Sequence, residues 1–289
     1  MHYILSALSA MLIAVMILVN GVLTQTYGLY EATVIIHIVG LVLITFVCLV
    51  RREPLFRIRG IRLTAFLGGA VGVFTTIFNN ECYGKIDVSA IIALNLVGQA
   101  VSSIVIDQFG LFGMPVSQLT KTKLLGLIFA VGGVCYMLIG TTFSFLPVLL
   151  SLLTGLTLAL NRHINAQLSE HTNALIATFY NYVIGLPISI AACLMLAKPF
   201  PLPTTLAMPM WMYLGGAIGV VIVLQSNFST HHVPALYMTF VVFVGQIFMG
   251  LVLDAFLTGA FPMQNLIGGL CVMAGLCFNV FFQKRKSNL

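Results

Sequence analysis

Long apolar runs with almost no charge constrain this chain more than any other feature of its sequence. Hydrophobic residues make up 60% of its 289 residues and charged residues only 7%, and the mean hydropathy is +1.09. So few charges cannot solvate the surface of a water-soluble protein. The runs are continuously apolar and lack the alternating pattern of a membrane β-barrel. We therefore expect an all-α polytopic membrane protein.

Glycine, proline, asparagine and charged residues divide the apolar sequence into ten segments. These segments predict helices over residues 3–23, 32–50, 63–80, 86–107, 122–140, 143–164, 173–196, 211–227, 233–257 and 263–283. At about 20 residues for each crossing, ten transmembrane helices use most of the chain. No room remains for a separate water-soluble domain.

The positions of the Lys and Arg residues agree with ten crossings. Eleven of the 13 then fall on the side of the N-terminus, against Lys85 and Lys198 on the other side. The eleven are Arg51, Arg52, Arg57, Arg59, Arg62, Lys121, Lys123, Arg162, Lys284, Arg285 and Lys286. Because positively charged loops stay in the cytoplasm, we expect both termini to be cytoplasmic. This asymmetry also explains the net charge of +6 without a nucleic-acid partner.

The six cysteines lie mostly inside apolar runs, with neither a CxxC pair nor a neighbouring histidine. This distribution favours inert thiols over a disulfide framework or a metal site. We expect no metal and no cofactor.

The second half of the sequence repeats the pattern of the first. An offset of 147 residues aligns residues 67–109 with residues 214–256 without a gap. Glycines and polar residues carry the match, since Gly68, Gly69, Gly72, Asn80, Gly98, Gln99 and Asp107 meet Gly215, Gly216, Gly219, Asn227, Gly245, Gln246 and Asp254. An offset of 145 aligns the first two helices with the sixth and seventh, and an offset of 142 aligns the fifth with the tenth. We interpret the chain as two five-helix repeats, residues 1–141 and residues 142–289.

Each repeat crosses the membrane an odd number of times, so the second repeat enters upside down relative to the first. Inverted repeats are typical of secondary transporters, because exchanging the conformations of the two halves turns an inward-open state into an outward-open one. A duplicated membrane scaffold is the alternative. The sequence therefore predicts ten transmembrane helices arranged as two inverted five-helix repeats.

Two short motifs resemble those of a known family. The first is Asn165-Ala166-Gln167-Leu168 followed by Gly185, with a looser copy, Asn20-Gly21-Val22-Leu23 followed by Gly40. The second begins with Leu96-Val97-Gly98-Gln99 and ends with Ile106-Asp107-Gln108-Phe109-Gly110-Leu111-Phe112-Gly113. Both resemble the YdcZ-type, EamA-like family of the drug/metabolite transporter superfamily.

A typical member of that family is a single five-helix unit, and this chain is similar to two such units fused. The second repeat departs from the longer motif, because it ends its helix with Ala255-Phe256-Leu257-Thr258-Gly259. The resemblance implies a secondary carrier for small solutes. We expect it in a bacterial plasma (inner) membrane.

Polar residues inside the spans are candidates for a substrate cavity. In the fourth helix Asn95 and Gln99 lie on one face, and Gln246 is the equivalent of Gln99 in the ninth helix. An amide in the middle of a membrane helix must bind a neighbouring helix, water or a solute. Hydrogen bonding between helices is the alternative interpretation. Further candidates, with the same alternative, are Asn20, Asn165 and Asn181.

Two equivalent carboxylates are candidates for gates. Asp107 ends the fourth helix on the cytoplasmic side, and Asp254 ends the ninth helix on the outer side. A carboxylate at the C-terminal end of a helix opposes the helix dipole, which indicates a specific partner. A solvated helix end is the alternative.

Three further residues are candidates for ion coupling. Two tyrosines flank Glu31 in the sequence, and a carboxylate beside aromatic rings suits an organic cation. Lys85 follows Glu81 at the spacing of a simple ion pair, which is the alternative for that acid. His37 titrates near neutral pH if it faces water. A buried neutral histidine that donates to a backbone carbonyl is the alternative for His37.

The sequence favours a secondary active transporter that moves a small metabolite or organic cation by alternating access. Because no Walker A motif occurs, its energy comes from an H⁺ or Na⁺ gradient or from the gradient of the solute itself. A passive channel or a lipid scramblase is the alternative. We do not expect an enzyme, since HExxH and GxSxG motifs are absent from the sequence. The expected partners are the lipid bilayer and the solute, and a homodimer is left open.

Overall fold

The computed structural model describes residues 2–56, 60–111, 116, 120–140, 145–197, 209–229 and 235–287. These residues form ten α-helices, and no β-strand occurs among them. The helices are α1 His2–Tyr27, α2 Leu29–Val50, α3 Gly68–Cys82, α4 Val88–Phe109, α5 Lys121–Met137, α6 Phe145–His171, α7 Ala174–Leu196, α8 Leu214–Ser229, α9 Ala235–Thr258 and α10 Met263–Ser287. Two short 3₁₀ helices, Leu63–Phe66 and Met210–Tyr213, precede α3 and α8.

Seven helical segments in this described part of the chain are long and apolar enough to cross a membrane. They are Ala7–Tyr27, Leu29–Val50, Leu63–Cys82, Val88–Phe109, Phe145–His171, Ala174–Leu196 and Met210–Asn227. Shorter apolar segments, Val242–Thr258 and Met263–Cys277, lie within α9 and α10. Such segments are those of a helical membrane protein, while the number of crossings stays a prediction.

Each of the ten helices predicted from the sequence overlaps one helix of the structure. The largest difference lies at the end of the sixth helix, which the sequence places at residue 164 but which continues to His171. In the sequence, polar residues such as Asn161 and Asn165 indicate the end of a helix. In the structure both are buried and hydrogen-bonded inside the protein. Arg162 therefore lies well inside α6 and not beside a loop.

Some residues used in the sequence argument cannot be placed. Arg57, Arg59 and Lys198 lie outside the described residues, as do the last two residues of the longer family motif, Phe112 and Gly113. The side of the membrane on which each charge lies stays a prediction.

Local backbone chemistry fixes several helix ends. Gly28, with φ of 98°, is the single residue between α1 and α2, and Gly110, with φ of 60°, ends α4. Both adopt left-handed or strained conformations that glycine reaches at little cost. Asn173 caps α7 by accepting a hydrogen bond from the backbone nitrogen of Ile176 at 2.8 Å.

The chain forms two compact units. Unit 1 comprises Met1–Val15, Cys82–Ala159 and Val233–Leu289, and unit 2 comprises Met16–Glu81 and Leu160–His232. Unit 1 contains α4 and α5 with α9 and α10, whereas unit 2 contains α2 and α3 with α7 and α8. Each unit therefore takes equivalent helices from both sequence repeats, so the compact units do not follow the predicted repeat boundary at residues 141 and 142.

In unit 1, α5 and α10 pack closely through glycines. Gly133 of α5 lies against the backbone of Gly268 and Val272, and Gly275 of α10 lies against the backbone of Gly126 and Ala130. Positions that increase along α5 meet positions that decrease along α10. The two equivalent helices therefore run antiparallel, and their contacts repeat under the offset of 142.

Inside unit 1, equivalent glycines also pack α4 against α6 and α9 against α1. Gly98 of α4 lies against the backbone of Leu152 and Gly155 in α6. Gly245 of α9 lies against Ala7 and Ala10 in α1, which are the equivalents of those two residues. The sequence repeat is thus also a repeat of contacts, because only a residue without a side chain permits such close approach.

Unit 2 pairs α2 with α7 in the same antiparallel way. Gly40 of α2 lies against the ring of Tyr182, while the thiol of Cys48 donates to the carbonyl oxygen of Leu175 at 3.9 Å. Positions that increase along α2 again meet positions that decrease along α7. Ile44 lies between these contacts and is fully buried in the hydrophobic core of the unit.

Candidate transport site

Three buried asparagines form a hydrogen-bonded cluster in unit 2. Asn165 Nδ2 donates to Asn161 Oδ1 at 2.9 Å and to Asn181 Oδ1 at 3.0 Å. Asn161 Nδ2 donates to Asn181 Oδ1 at 3.2 Å and to the carbonyl oxygen of Gly68 at 2.6 Å. The cluster joins α6, α7 and α3, and it satisfies amides that a membrane interior would leave without water. This geometry supports a helix-bridging role for Asn165 and Asn181, and contact with a solute stays a prediction.

Asn20 occupies the equivalent of the Asn165 position in the first repeat. It lies on α1 against Gly215, and a β-carbon added at Gly215 would collide with Asn20 Oδ1. The apolar residues Met16 and Ile36 take the places of the other two asparagines. Asn20 Oδ1 accepts no hydrogen bond from the described residues, although Asn20 is only 4% exposed. The equivalent site is therefore less polar and leaves one acceptor available.

His37 is enclosed by the α2–α7 pair. Its Nδ1 lies 2.8 Å from the carbonyl oxygen of Thr33, and because a carbonyl only accepts, Nδ1 carries the proton. The ring centroid lies 5.9 Å from that of Tyr182, its equivalent in the second repeat. The side chain is 3% exposed. This geometry agrees with the alternative of a buried histidine that donates to a backbone carbonyl, and proton coupling through His37 stays a prediction.

The centres of α4 and α9 carry the buried amides of unit 1. Gln99 Nε2 donates to the carbonyl oxygen of Asn95 at 3.3 Å, within its own helix. Gln246 is 2% exposed, and its Nε2 donates to no acceptor among the described residues. Gly250, one turn later, packs against Ser89 of α4, so Gln246 lies on the face of α9 that approaches α4. Its amide is therefore able to bind an acceptor group.

Asp254 lies in unit 1 near the end of α9 and binds the start of α4. Its carboxylate oxygens accept hydrogen bonds from the backbone nitrogens of Val88 and Ser89, at 2.8 and 2.9 Å. The first N–H groups of a helix have no partner inside the helix. The carboxylate therefore caps α4, and the positive end of the helix dipole favours its charge. The acid predicted to latch the outer end is bound to another helix.

Asp107, the equivalent acid of the first repeat, has a different partner. Lys123 Nζ lies 3.3 Å from Asp107 Oδ2, and the two side chains are 6% and 26% exposed. The equivalent of Lys123 in α10 is Asn265, whose Nδ2 donates to Asp87 Oδ2 at 2.8 Å. Charge thus holds one acid in place, while backbone N–H groups hold the other.

The remaining coupling candidates lie at helix ends of unit 2. Glu31 is in the first turn of α2 and Glu81 is in the last turn of α3, and both are partly buried. The hydroxyl groups of Tyr27 and Tyr213 hydrogen-bond to each other close to the start of α2. Aromatic groups therefore lie near the helix start that carries Glu31, and the part of both acids in coupling stays a prediction.

Three residues that matter in the structure were not candidates from the sequence. Asn161 precedes Asn165 by four residues, and this spacing alone places both on one face of α6. Lys123 enters the sequence argument only as one of the cytoplasmic charges. Asn265 has no signal except its equivalence to Lys123. Within the part of the chain that the structure describes, no group of three or more His, Cys, Asp or Glu residues is placed to hold a metal ion.

Membrane-length helices, antiparallel pairs of equivalent helices and buried polar groups at their centres together describe a helical membrane protein, and the family model adds the transporter class. The chain belongs to the YdcZ family of drug/metabolite transporters. The family model, described as "Putative inner membrane exporter, YdcZ", matches residues 1–136 and residues 146–278. The resemblance seen in the sequence is confirmed, and the two matched stretches agree with two fused units.

A solved crystal structure is similar to this chain in fold. It aligns with a TM-score of 0.67 over 97% of this chain and 97% of its own, at 12% sequence identity. At this level of identity the likeness shows the fold alone. No curated protein matches the chain.

Proposed function

We propose that this protein is a secondary active transporter that moves a small solute across the inner membrane by alternating access. The antiparallel pairing of equivalent helices inside each unit carries the proposal: α4 with α9, α5 with α10, and α2 with α7. Equivalent helices that run in opposite directions are what an inverted repeat requires. In such a fold the two halves exchange conformations and expose the solute to either side in turn.

In the proposed topology all ten helices cross the membrane and both termini are cytoplasmic. The positive-inside distribution of Lys and Arg supports this arrangement. Arg51 and Arg52 directly follow α2 on the proposed cytoplasmic side, whereas Lys85 lies in the turn between α3 and α4 on the outer side. The repeats 1–141 and 142–289 then form two halves of opposite orientation.

The proposed solute is a small metabolite or an organic cation, and the amides of α4 and α9 contribute to its binding. Gln246 supports this role best, because its buried donor has no acceptor among the described residues. Gln99 and Asn95 lie near the centre of α4, the equivalent helix, and their amides add to the polar groups proposed to bind the solute. The energy for transport comes from an ion gradient or from the gradient of the solute.

Counterflow in proteoliposomes tests the proposal. Vesicles that contain the purified protein are loaded with one unlabelled compound from a panel of small organic cations, neutral metabolites and anions. A trace of the same compound, radiolabelled, is then added outside. A carrier accumulates the label transiently and saturates with concentration, because each exchange requires an occupied site. Protein-free vesicles provide the background.

The same vesicles distinguish the rival functions. A flux that rises linearly with concentration and shows no counterflow would indicate a channel. Movement of labelled phospholipid between leaflets without solute exchange would indicate a scramblase. Either result would contradict the proposed carrier.

A further inference from the structure

Two equivalent carboxylates of unit 1 have unequal partners, although the structure around them repeats. Asp254 of α9 binds the backbone nitrogens of Val88 and Ser89 at the start of α4. Asp107 of α4 binds the ammonium group of Lys123 instead. The offset of 147 relates the two acids to each other. The helices that carry them are equivalent, so the two ends of the α4–α9 pair adopt different arrangements, and residues that the repeat does not preserve lie beside these acids.

The register of α4 against α9 identifies the partner that Asp107 would have in a symmetric arrangement. Asp254 contacts Val88, and Gly250 contacts Ile92, so the helices stay in step as they run antiparallel. Applying the offset of 147 to the first contact relates Asp107 to Ala235, the first residue of α9. A helix start offers free N–H groups and the positive end of a dipole. By this equivalence the start of α9 corresponds, for Asp107, to the start of α4 that Asp254 binds.

The residues that differ lie at the start of α5 and near the start of α10. Under the offset of 142, Lys123 is equivalent to Asn265. A lysine in the first turn of a helix and an aspartate in the last turn both oppose the helix dipole, so Lys123 and Asp107 stabilise each other. Asn265 carries no charge and donates to Asp87. The ammonium of Lys123 thus competes with the start of α9 for Asp107. Asn265, at the equivalent position, does not compete with the start of α4 for Asp254.

We propose that Lys123 and Asn265 are positioning residues that determine which end of the α4–α9 pair is held closed. Lys123 draws Asp107 away from the start of α9, so this end opens easily. Asn265 leaves Asp254 on the start of α4, so the opposite end is latched. The inference rests on the proposed function, because alternating access requires one end to be released while the other is held. In each transport cycle Asp107 leaves Lys123 and caps α9.

Distances between spin labels in the full-length protein test this inference. The native cysteines are replaced, and labels are attached to cysteines at Leu111 and Ala235, which report the end that contains Asp107. Lys123→Gln removes the competing ammonium, so the distance distribution in lipid nanodiscs should shift to shorter values. Asp107→Ala in the same background should abolish the shift, since no carboxylate remains to cap α9.

A reciprocal variant transfers the competitor to the other end. Asn265→Lys is combined with Asp87→Asn, so that the new ammonium meets Asp254 as its nearest carboxylate. Labels at Lys85 and Thr258 should then gain a population at longer distances. Asn265→Gln is the matched control, because it keeps an amide without charge, and it should leave this distribution unchanged.

The outcomes separate the latch from the proposed function. An unchanged Leu111–Ala235 distribution in Lys123→Gln overturns the inference, whatever the reciprocal variant does. It is also overturned if Asn265→Gln opens its end as far as Asn265→Lys does. The distance measurement needs no solute, so counterflow without the shift rejects only the latch, and the shift without counterflow rejects only the carrier.

Discussion

Polar side chains inside the helices differ in whether their donors and acceptors have hydrogen-bond partners within the protein. The hydroxyls of Thr33 and Thr178, which are equivalent, each donate to a carbonyl oxygen four residues earlier at 2.7 Å. The hydroxyl proton of such a group is therefore not available to a solute. Gln246 and Asn20 retain a donor and an acceptor, respectively, that meet no partner among the described residues. At the scale of single residues, these two positions are the best candidates for contact with a transported molecule.

Gln246→Ala should lower solute uptake by about tenfold, because the loss of one hydrogen bond worth about 1.4 kcal/mol changes an equilibrium by that factor. The melting temperature of the purified protein should fall somewhat, because truncating a side chain that is 2% exposed leaves a cavity, but uptake per folded molecule should fall as well. Counterflow per folded molecule is the measurement. Thr33→Val is the control and should keep normal uptake. A folding defect with normal uptake per folded molecule would show that Gln246 only bridges helices.

Asn165→Ala should lower the melting temperature more than Asn20→Ala, its equivalent in the other repeat. Asn165 donates two hydrogen bonds inside the asparagine cluster, and each such bond contributes about 0.6 kcal/mol within a membrane protein. Asn20 Oδ1 accepts none from the described residues. Thermal unfolding of both variants in the same detergent provides the comparison. Equal losses of stability would contradict the assignment of a bridging role to the cluster.

At the scale of helices, close glycine contacts hold equivalent elements together. A β-carbon at Gly133 would lie 2.8 Å from the backbone nitrogen of Val272, which cannot move aside. The neighbouring Gly132 has no atom within 4 Å of the equivalent point. The two glycines therefore differ in role although they are adjacent in the sequence, because only one of them faces α10.

Gly133→Ala should destabilise the protein, whereas Gly132→Ala should be neutral or stabilising. Alanine favours a helix over glycine by about 1 kcal/mol, so any loss of stability at Gly133 must come from the crowded α5–α10 contact. Melting temperatures of the two variants, measured side by side, test this prediction. A similar response at both positions would mean that α5 and α10 do not approach each other as the structure shows.

The positions of the ten helices follow from hydropathy and glycine spacing, because these depend on local sequence. The end of α6 does not, since Asn161 and Arg162 resemble a loop until the buried partners of Asn161 are known. For the same reason the sequence places Asp254 only at the outer end of the ninth helix, while its role as a cap for α4 depends on a helix far away in sequence. Local sequence patterns therefore predict the helices, whereas contacts between helices that are distant in sequence are known only from the structure.

At the scale of the whole molecule, the two repeats are interleaved. An offset in the sequence shows which helices are equivalent, but it does not show which helices pack into one unit. Unit 1 collects the fourth and fifth helices of each repeat, and unit 2 collects the second and third. Equivalent helices meet inside each unit: α4 with α9 and α5 with α10 in unit 1, and α2 with α7 in unit 2.

The opposite orientation of the two repeats is the central claim, and the sidedness of two equivalent residues tests it most directly. Leu111 follows α4 and Thr258 ends α9, and the offset of 147 relates them. Each is replaced by cysteine in a cysteine-free background, and cells are treated with a membrane-impermeant maleimide. Thr258→Cys should react in intact cells and Leu111→Cys only after permeabilisation. Labelling of both from the same side would contradict the inverted repeat and the transport mechanism that depends on it.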